Sequence, residues 1–595
     1  MRLYPEQASA QLEFEKIKIL LEGYCKSAYA KNKAQNLLIH TKKELIDLAL
    51  KQAHEYKMLI LQSQYFPNDE VFNISHELKL LSIPGSMLSG EQIMELRKLT
   101  KTTQNIFHWF DNEKRIALPA LSKVIADTYY EKTIADLIDE VLNEYGEVKD
   151  SASPELQKIR VNLFRKRNEL RRMFEKVVAR LTRAGYSADI EESMSNGRRV
   201  VAVFAEHKRQ VKGILHGESD SRKTAFIEPE ETIQLNNEVF ELENDERKEV
   251  QRILRVLTTQ LSVYGSLLYI YYQVVGEYDF IRAKARLAMD INGNYPNLTD
   301  KTHIELHDAY HPLLYFFNQK VLKKTIPVNI TLNTEHRILV ISGPNAGGKT
   351  VAMKTVALNQ VMLQSGLLIP VKATSVIGIF NQLFIHIGDT QSLEFELSTY
   401  SSHLLHMKFF IENANGKTLF FIDELGSGSD PNLGGAFAEV ILEEMVNRHS
   451  FGIVTTHYLN LKVMAAHTPG IINGAMVFDE INLRPLYKLS IGKPGSSYTF
   501  SIAERIGLPR LLISKARKLV DEDHFRLDKL LNNTEQDLEK LEEDKAKLKK
   551  LLNENENLKA AMLKTMDKEK HQQRIELLKH QNKIAEERIL NLKEN

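Results

Sequence analysis

The sequence predicts a multidomain protein: an N-terminal all-α core and lever with an inserted small α+β clamp, then a P-loop α/β domain, then a C-terminal helical or coiled-coil tail. Three observations carry this expectation. Apolar residues recur at three-and-four spacing through residues 1–150 and again after residue 228, the period of a helix that buries one face. Between residues 301 and 520, short apolar strands alternate with helical patterns, as in a parallel α/β sheet. After Pro509 the chain contains neither glycine nor proline. The expected boundaries are 1–153 for the core, 154–227 for lever helix and clamp, 228–300 for the returning lever, 301–520 for the α/β domain and 521–595 for the tail.

In the first segment, "LEFEKIKILLEGY", "ELIDLALKQAHEYKMLILQ" and "IADLIDEVLNEY" read as amphipathic helices, with no competing strand pattern. "SIPGSMLSGEQIMELRKL" breaks and restarts, with Ser89 and Gln92 in capping-box order. From Pro154 one long helix is expected to about Arg183, ended by Gly185. "GRRVVAVFAEHKRQVKGILHG" then alternates β-branched with polar or basic residues between glycines, which reads as a hairpin. From "TAFIEPEETIQLNNEVF" onward the period is helical again for some fifty residues. A long helix out, a basic β tip and a long helix back describe a lever with a gripping end. In the tail, Leu527, Leu531, Leu538, Leu541, Leu548 and Leu552 fall on an imperfect heptad, read as a coiled coil or a solitary solvated helix.

Composition excludes several classes. The chain of 595 residues is too long for one core. Its most apolar stretch outside the loop region, Leu267 to Val275, is far short of the roughly 20 residues of a membrane span. The N-terminus lacks the apolar region of a secretory signal, so a cytosolic location is expected. A single cysteine, Cys25, excludes an internal disulfide framework. Net charge is +1, but Glu155–Ala225 holds 17 Lys/Arg against 9 Asp/Glu (+8), while Glu228–Val256 holds 4 against 9 (−5). A basic block before an acidic one suggests a polyanion-facing element on a non-binding stalk; a solvated helix face is the plainer alternative.

The chemistry sits in the α/β segment. Gly343-Pro344-Asn345-Ala346-Gly347-Gly348-Lys349-Thr350 fits the phosphate-binding pattern, between strand "RILVIS" and helix "TVAMKTVALNQVML". Glycines let backbone N–H groups close on phosphate oxygens, the lysine reaches the β/γ-phosphates, and the threonine hydroxyl holds Mg²⁺. "TLFFIDELGSGSDP" places Asp423 at a strand end, where it could bind Mg²⁺ through water. Glu424 follows, where it could deprotonate the attacking water. The adjacent acidic pair points to a hydrolase rather than a small-molecule kinase. "FGIVTTHY" brings His457 to the same sheet edge, to sense the γ-phosphate or to pack as a structural histidine. "ELSTYSSHLL" is an N-cap, or a set of donors for a second subunit's nucleotide.

With these elements in order, the chain resembles the MutS family of DNA-repair ATPases, through "GPNAGGKT", "FFIDELGSGSDP", "ELSTYSSH" and "TTHY". It is most similar to the second bacterial branch, the recombination-suppressor type, through "HDAYHPLL", "IGDTQSLEFELSTYSSHL" and "KPGSSYTFSIAERIGLP". The resemblance implies an ATPase domain of the ABC class, in which two subunits sandwich ATP. It further implies phosphate contacts from Asn345, Gly347, Gly348, Lys349 and Thr350, with Gly343, Pro344, Ala346 and Val351 completing the loop. Asp423 and Glu424 would serve magnesium and hydrolysis, His457 the nucleotide, and Ser398, Thr399 and Ser401 the partner subunit's ATP. Arg198, Arg199, Lys208, Arg209 and Lys212 would meet nucleic-acid phosphate.

The resemblance thus implies a homodimeric ATP-dependent clamp on branched, mismatched or duplex DNA in repair or recombination control. A ribosome-splitting ATPase acting on rRNA, as implied for some relatives of this branch, is the alternative. Two departures shape the expectation. The chain starts at the helical scaffold, and Phe204-Ala-Glu206 lies within the clamp pattern, so mismatch reading is not expected. A tail without glycine or proline does not fit the branch's terminal nuclease module, so endonuclease activity is not expected either. An SMC-like ATPase fits less well, because the tail is too short for such an arm and the signature segment lacks that class's Gly-Gly-Gln ending.

Overall fold

The structure is a computed structural model that describes residues 1–344, 347–388, 399–427, 430–479, 484–495, 503, 506–519 and 522–591. The chain divides into two compact units, residues 13–296 with 359–373, and residues 1–12 with 297–358 and 374–595.

The first unit is built on helices whose apolar faces meet in one core. Phe14–Tyr24, Lys43–Leu61, Gly90–Trp109 and Lys132–Val141 form where the three-and-four periodicity predicts them. Ser89 accepts from the Gln92 N–H at 3.3 Å and Gln92 returns a bond to the Ser89 N–H at 3.0 Å, so the capping box is present. Helix Gly265–Asp290 is apolar around most of its circumference and is accordingly the one the others surround. Its Tyr271 and Tyr278 are buried with Leu96, Leu99, Ile134, Ile138 and Leu261. Each buried phenol has a backbone partner, as burial demands: Tyr271 donates to the Tyr129 carbonyl and Tyr278 to that of Leu121, both at 3.0 Å.

The lever helix runs Pro154–Arg183, with Pro154 in its first turn and the Ser153 hydroxyl accepting from the Leu156 N–H at 3.0 Å. Helix Glu230–Ser262 returns beside it, and the two unlike charge blocks neutralise one another along the seam. Arg160 pairs with Glu246, Lys166 with Glu238 and Arg167 with Glu243, each at 2.7 Å, and Arg180 with Glu231 at 2.6 Å. Four cations of the lever are therefore engaged in an internal ladder, which leaves less of its basic excess to face a polyanion.

At the clamp the sheet corrects the expected hairpin. Strands Ser187–Ser195, Arg198–Phe204, Thr224–Pro229 and Gly213–Glu218 lie side by side in that order, all antiparallel. Arg198–Phe204 and Gly213–Glu218 are not neighbours, because "TAFIEP", expected as the start of a helix, is the strand between them. The sheet has two hairpins, one joining Gly213–Glu218 to Thr224–Pro229 and one a strand earlier than expected. Asn196 and Gly197 both have positive φ (52° and 78°) and join Ser195 to Arg198, the geometry that an Asn-Gly pair supplies most readily. Val201, Val203, Ala225 and Ile227 pack on Phe174, Val177 and Leu181 of the lever helix.

The second unit carries a seven-stranded sheet. Its order is Arg2–Tyr4, Gln382–His386, Thr418–Ile422, Phe451–Thr455, His336–Ser342, Gly470–Asp479 and Arg484–Ile491. All neighbours are parallel except the last pair. The central strands are buried along nearly their whole length, which explains their unbroken apolar runs. Arg2–Tyr4 is a strand the sequence reading missed: three residues are too few to show a period, and parallel pairing to Gln382–Phe384 creates it. A four-stranded sheet of Asn297–Thr299, Val376–Gly378, Ile304–Ala309 and Val328–Leu332 completes this unit's β-structure among the described residues.

The tail is one helix, Glu522–Asn591, with Leu548 and Leu552 of the imperfect heptad exposed. Leu527, Leu531, Leu538 and Leu541 have side chains outside the described residues. Among the described residues no single helix is long and apolar enough to cross a membrane.

Candidate nucleotide site and clamp surface

Three parallel strands end at one edge of the large sheet. Strand His336–Ser342 runs into the glycine-rich loop, with Gly343 at φ 129° and Gly348 at φ 90°, conformations that L side chains rarely adopt. The Gly347 N–H donates to the Pro344 carbonyl at 2.9 Å, and helix Lys349–Gln364 begins immediately afterwards. Val351 is exposed in its first turn. Asn345 and Ala346 lie outside the described residues.

The neighbouring strands bring the remaining groups to this loop. Thr350 donates its hydroxyl to Asp423 Oδ2 at 2.8 Å, while Thr455 donates to Oδ1 of the same carboxylate. The Thr455 hydroxyl also accepts the Glu424 N–H at 2.8 Å, and the Asp423 N–H donates to the His386 carbonyl at 2.8 Å. Asp423 is thus fixed by three elements, whereas Glu424 is exposed and held at φ 51°, the left-handed region uncommon for a non-glycine residue.

Lys349 is buried; its amine donates to the Gly343 carbonyl at 2.7 Å and lies 2.9 Å from His457 Nε2. Burial pushes the Lys349 ammonium down to about 8, against the opposing pull of Glu424 and Asp423. Burial, then the charges of Lys349 and Lys462, hold His457 below the usual imidazole range. An ammonium has no lone pair, so His457 Nε2 accepts and its imidazole is neutral with the proton on Nδ1. A hydroxyl beside a carboxylate and a lysine aimed at the same glycine-rich loop form a set suited to a magnesium-bound polyphosphate.

Thr455 and Lys462 were missed by the sequence reading. Lys462, on helix Leu459–His467, is buried and donates to the Gly495 carbonyl at 2.7 Å. The only signal for Thr455 was a hydroxyl ending the strand that delivers His457. Ser401 is half-buried in the first turn of helix Thr399–Asn413. Thr399 opens that helix, and Ser398 lies outside the described residues.

The same helix supplies a cluster with no sequence signature. His403 Nδ1 lies 2.7 Å from His386 Nε2, and the His406 ring stands 5.1 Å from that of His386. Burial, then the neighbouring histidines, push His386 down to about 3 and His403 to about 4.

The clamp residues separate into two groups. Arg198 faces inward: it pairs with Glu228 at 2.8 Å, bonds Asn237 and lies over the Phe240 ring. Glu228 has no solvent exposure and also holds His216 Nε2 at 2.7 Å and Asn236 Nδ2 at 2.9 Å. Lys208 pairs with Glu218 at 2.5 Å. Both are expected to face phosphate; Arg198 is instead committed to Glu228, because a buried acid needs a cation and donors, whereas Lys208 pairs with an exposed carboxylate at the surface. Arg209 and Lys212 are exposed, and Arg199 is half-buried with its N–H donated to Asn236 at 3.3 Å.

Residues 339–523 match the family described as MutS domain V. The protein named Endonuclease MutS2 of Carboxydothermus hydrogenoformans is 37% identical over 467 residues, 78% of this chain and 59% of that protein. Its namesake in Levilactobacillus brevis is 32% identical over 563 residues, 94% of this chain and 70% of the relative. That of Clostridium beijerinckii is 33% identical over 564 residues, covering 95% and 71%. The chain therefore spans about six- to seven-tenths of the length of these relatives.

Proposed function

This chain belongs to the MutS family, on the side of its MutS2 relatives, and from that premise we propose that it is a magnesium-dependent ATPase whose nucleotide cycle governs a DNA-binding clamp. One observation carries the reading: Lys349, Thr350, Asp423 and His457, from three strand ends, are joined around the glycine-rich loop by bonds of 2.8–2.9 Å. Thr350 and Asp423 would hold the magnesium ion, which when bound supplies positive charge to the phosphate oxygens. Lys349 adds charge against the β- and γ-phosphates, and the loop N–H groups orient them. Neutral His457 fixes the lysine by accepting from it. Glu424, held by Thr455 at its N–H and open to solvent at its side chain, takes the proton of the attacking water.

Two copies would close the sites, Ser398, Thr399 and Ser401 of each facing the nucleotide of the other, with the exposed leucines of the tail as a second contact. The exposed cations Arg209 and Lys212 would meet the phosphates of branched, mismatched or duplex DNA in repair or recombination control. The relatives are named endonucleases. Nicking of supercoiled plasmid by the purified protein tests whether strand cleavage also belongs to this chain.

Glu424→Gln tests the chemistry. It should keep ATP binding and lower turnover by about 10²-fold or more; unchanged hydrolysis removes Glu424 as the base. Lys349→Ala should lose ATP binding itself, and a wild-type protein that binds no ATP would overturn the whole reading.

A further inference from the structure

The loop's outer wall is supplied by the last two strands of the large sheet. Met476, on Gly470–Asp479, is 2% exposed and lies against three loop glycines. A Cβ at Gly343 would sit 3.3 Å from Met476 Cβ, and one at Gly347 would sit 3.2 Å from the same atom. A Cβ at Gly348 would meet Tyr487 Cδ1 at 3.2 Å, Met476 Cε at 3.7 Å and Tyr487 Cε1 at 4.0 Å. The glycines therefore do more than permit unusual φ values. They let the loop backbone lie flush against two side chains.

Tyr487 reaches that position by an irregularity. The antiparallel register pairs Met476 with Leu489 and then Phe478 with Pro485, so two steps on one strand face four on the other. The surplus is a bulge on Arg484–Ile491 that contains Tyr487 at φ 55°. Bulges re-aim side chains beside functional sites, and a bulky residue in the left-handed region persists only where its surroundings hold it. Here the bulge lays the ring on Gly348 while the residue stays 50% exposed. Nothing in the apolar or charge pattern of the sequence singles out Tyr487.

We propose that Tyr487, with Met476, is a positioning residue for the phosphate-binding loop: its ring braces Gly348 from outside and holds the Gly347–Gly348 backbone in place. The proposal rests on the reading of this loop as an ATP site, and it predicts a division between binding and chemistry. Without the ring the loop should sample other conformations, weakening ATP capture, while Glu424, Asp423 and Thr350 keep their places.

Amide hydrogen exchange of residues 343–352, measured in the full chain without nucleotide, tests the brace directly. In Tyr487→Ala exchange should accelerate about tenfold with the thermal midpoint unchanged, and Tyr487→Phe should match the wild type, because the contact is made by ring carbons. Tyr487→Gly relaxes the backbone yet removes the ring, so it should behave as Tyr487→Ala. ATP KM should rise five- to tenfold in the Ala and Gly variants, with kcat within twofold. Unchanged exchange in both variants overturns the brace, as does a fall in kcat at constant KM. If exchange responds as expected but the wild type binds no ATP, the nucleotide reading fails and the brace stands.

Discussion

Arg198 and Glu228 form an ion pair at 2.8 Å in which the carboxylate is fully buried beneath the clamp sheet. The same carboxylate accepts from Asn236 and bonds His216, so one residue ties three strands to the helix that follows them. Removing the cation leaves a buried charge short of a partner, which typically costs about 3–5 kcal/mol.

Arg198→Ala should therefore lower the stability of the first unit by about 3 kcal/mol or more. Arg209→Ala with Lys212→Ala should leave stability unchanged and flatten the salt dependence of DNA binding by about one to two units of log–log slope. Denaturation curves and binding titrations between 50 and 200 mM salt separate the two effects. An Arg198 variant of wild-type stability and reduced salt slope would return that residue to the proposed DNA surface.

Lys349 should make the proposed nucleotide site sensitive to alkali. Its folded pKa is pushed below 10.5 to about 8, and only the ammonium form attracts phosphate. As pH rises through about 8 the free protein loses that charge, so kcat/KM for ATP should fall, approaching tenfold per pH unit. Bound triphosphate restores the ammonium form, so kcat should stay flatter over the same range. A kcat/KM profile level to pH 9.5 would contradict the assignment of Lys349 to the phosphates.

The histidine pair should make the second unit acid-labile. His386 and His403 are pushed from 6.5 to about 3 and about 4, so they stay neutral in the folded protein while the unfolded chain gains protons below pH 6.5. Stability should be unaffected above pH 6.5 and fall by about 2 kcal/mol per histidine by pH 5. His386 Nδ1 and His403 Nε2 are buried without hydrogen-bond partners, so a charge there would find no compensation among the described residues. Denaturation at pH 7.5 and pH 5.0 should show a smaller loss in His403→Gln; an equal loss in both proteins would rule the pair out as the cause.

Much of the candidate site was legible because its determinants are local. A strand, a glycine-rich turn and a helix N-terminus follow one another within some twenty residues, and Asp423 and Glu424 follow their own strand directly. The Ser89–Gln92 capping box and the Pro154–Arg183 helix were readable for the same reason. The clamp was less legible. Its pairing places Thr224–Pro229 between two strands that precede it in sequence, and a period of two does not say which strands are neighbours.

The sequence by itself determined most of the long helices, the apolar strands that lead to Gly343, Asp423 and His457, and which family the chain resembles. Tertiary structure alone decided what each charge is for. It turned the basic lever into a ladder against Glu231, Glu238, Glu243 and Glu246, turned Arg198 inward onto Glu228, gathered three histidines and laid Tyr487 on Gly348. The physical reason is distance along the chain. Periodicity and turn chemistry act over a few residues, whereas the partner that fixes a buried charge or a bulged ring lies 30 to more than 130 residues away, and only folding brings it within reach.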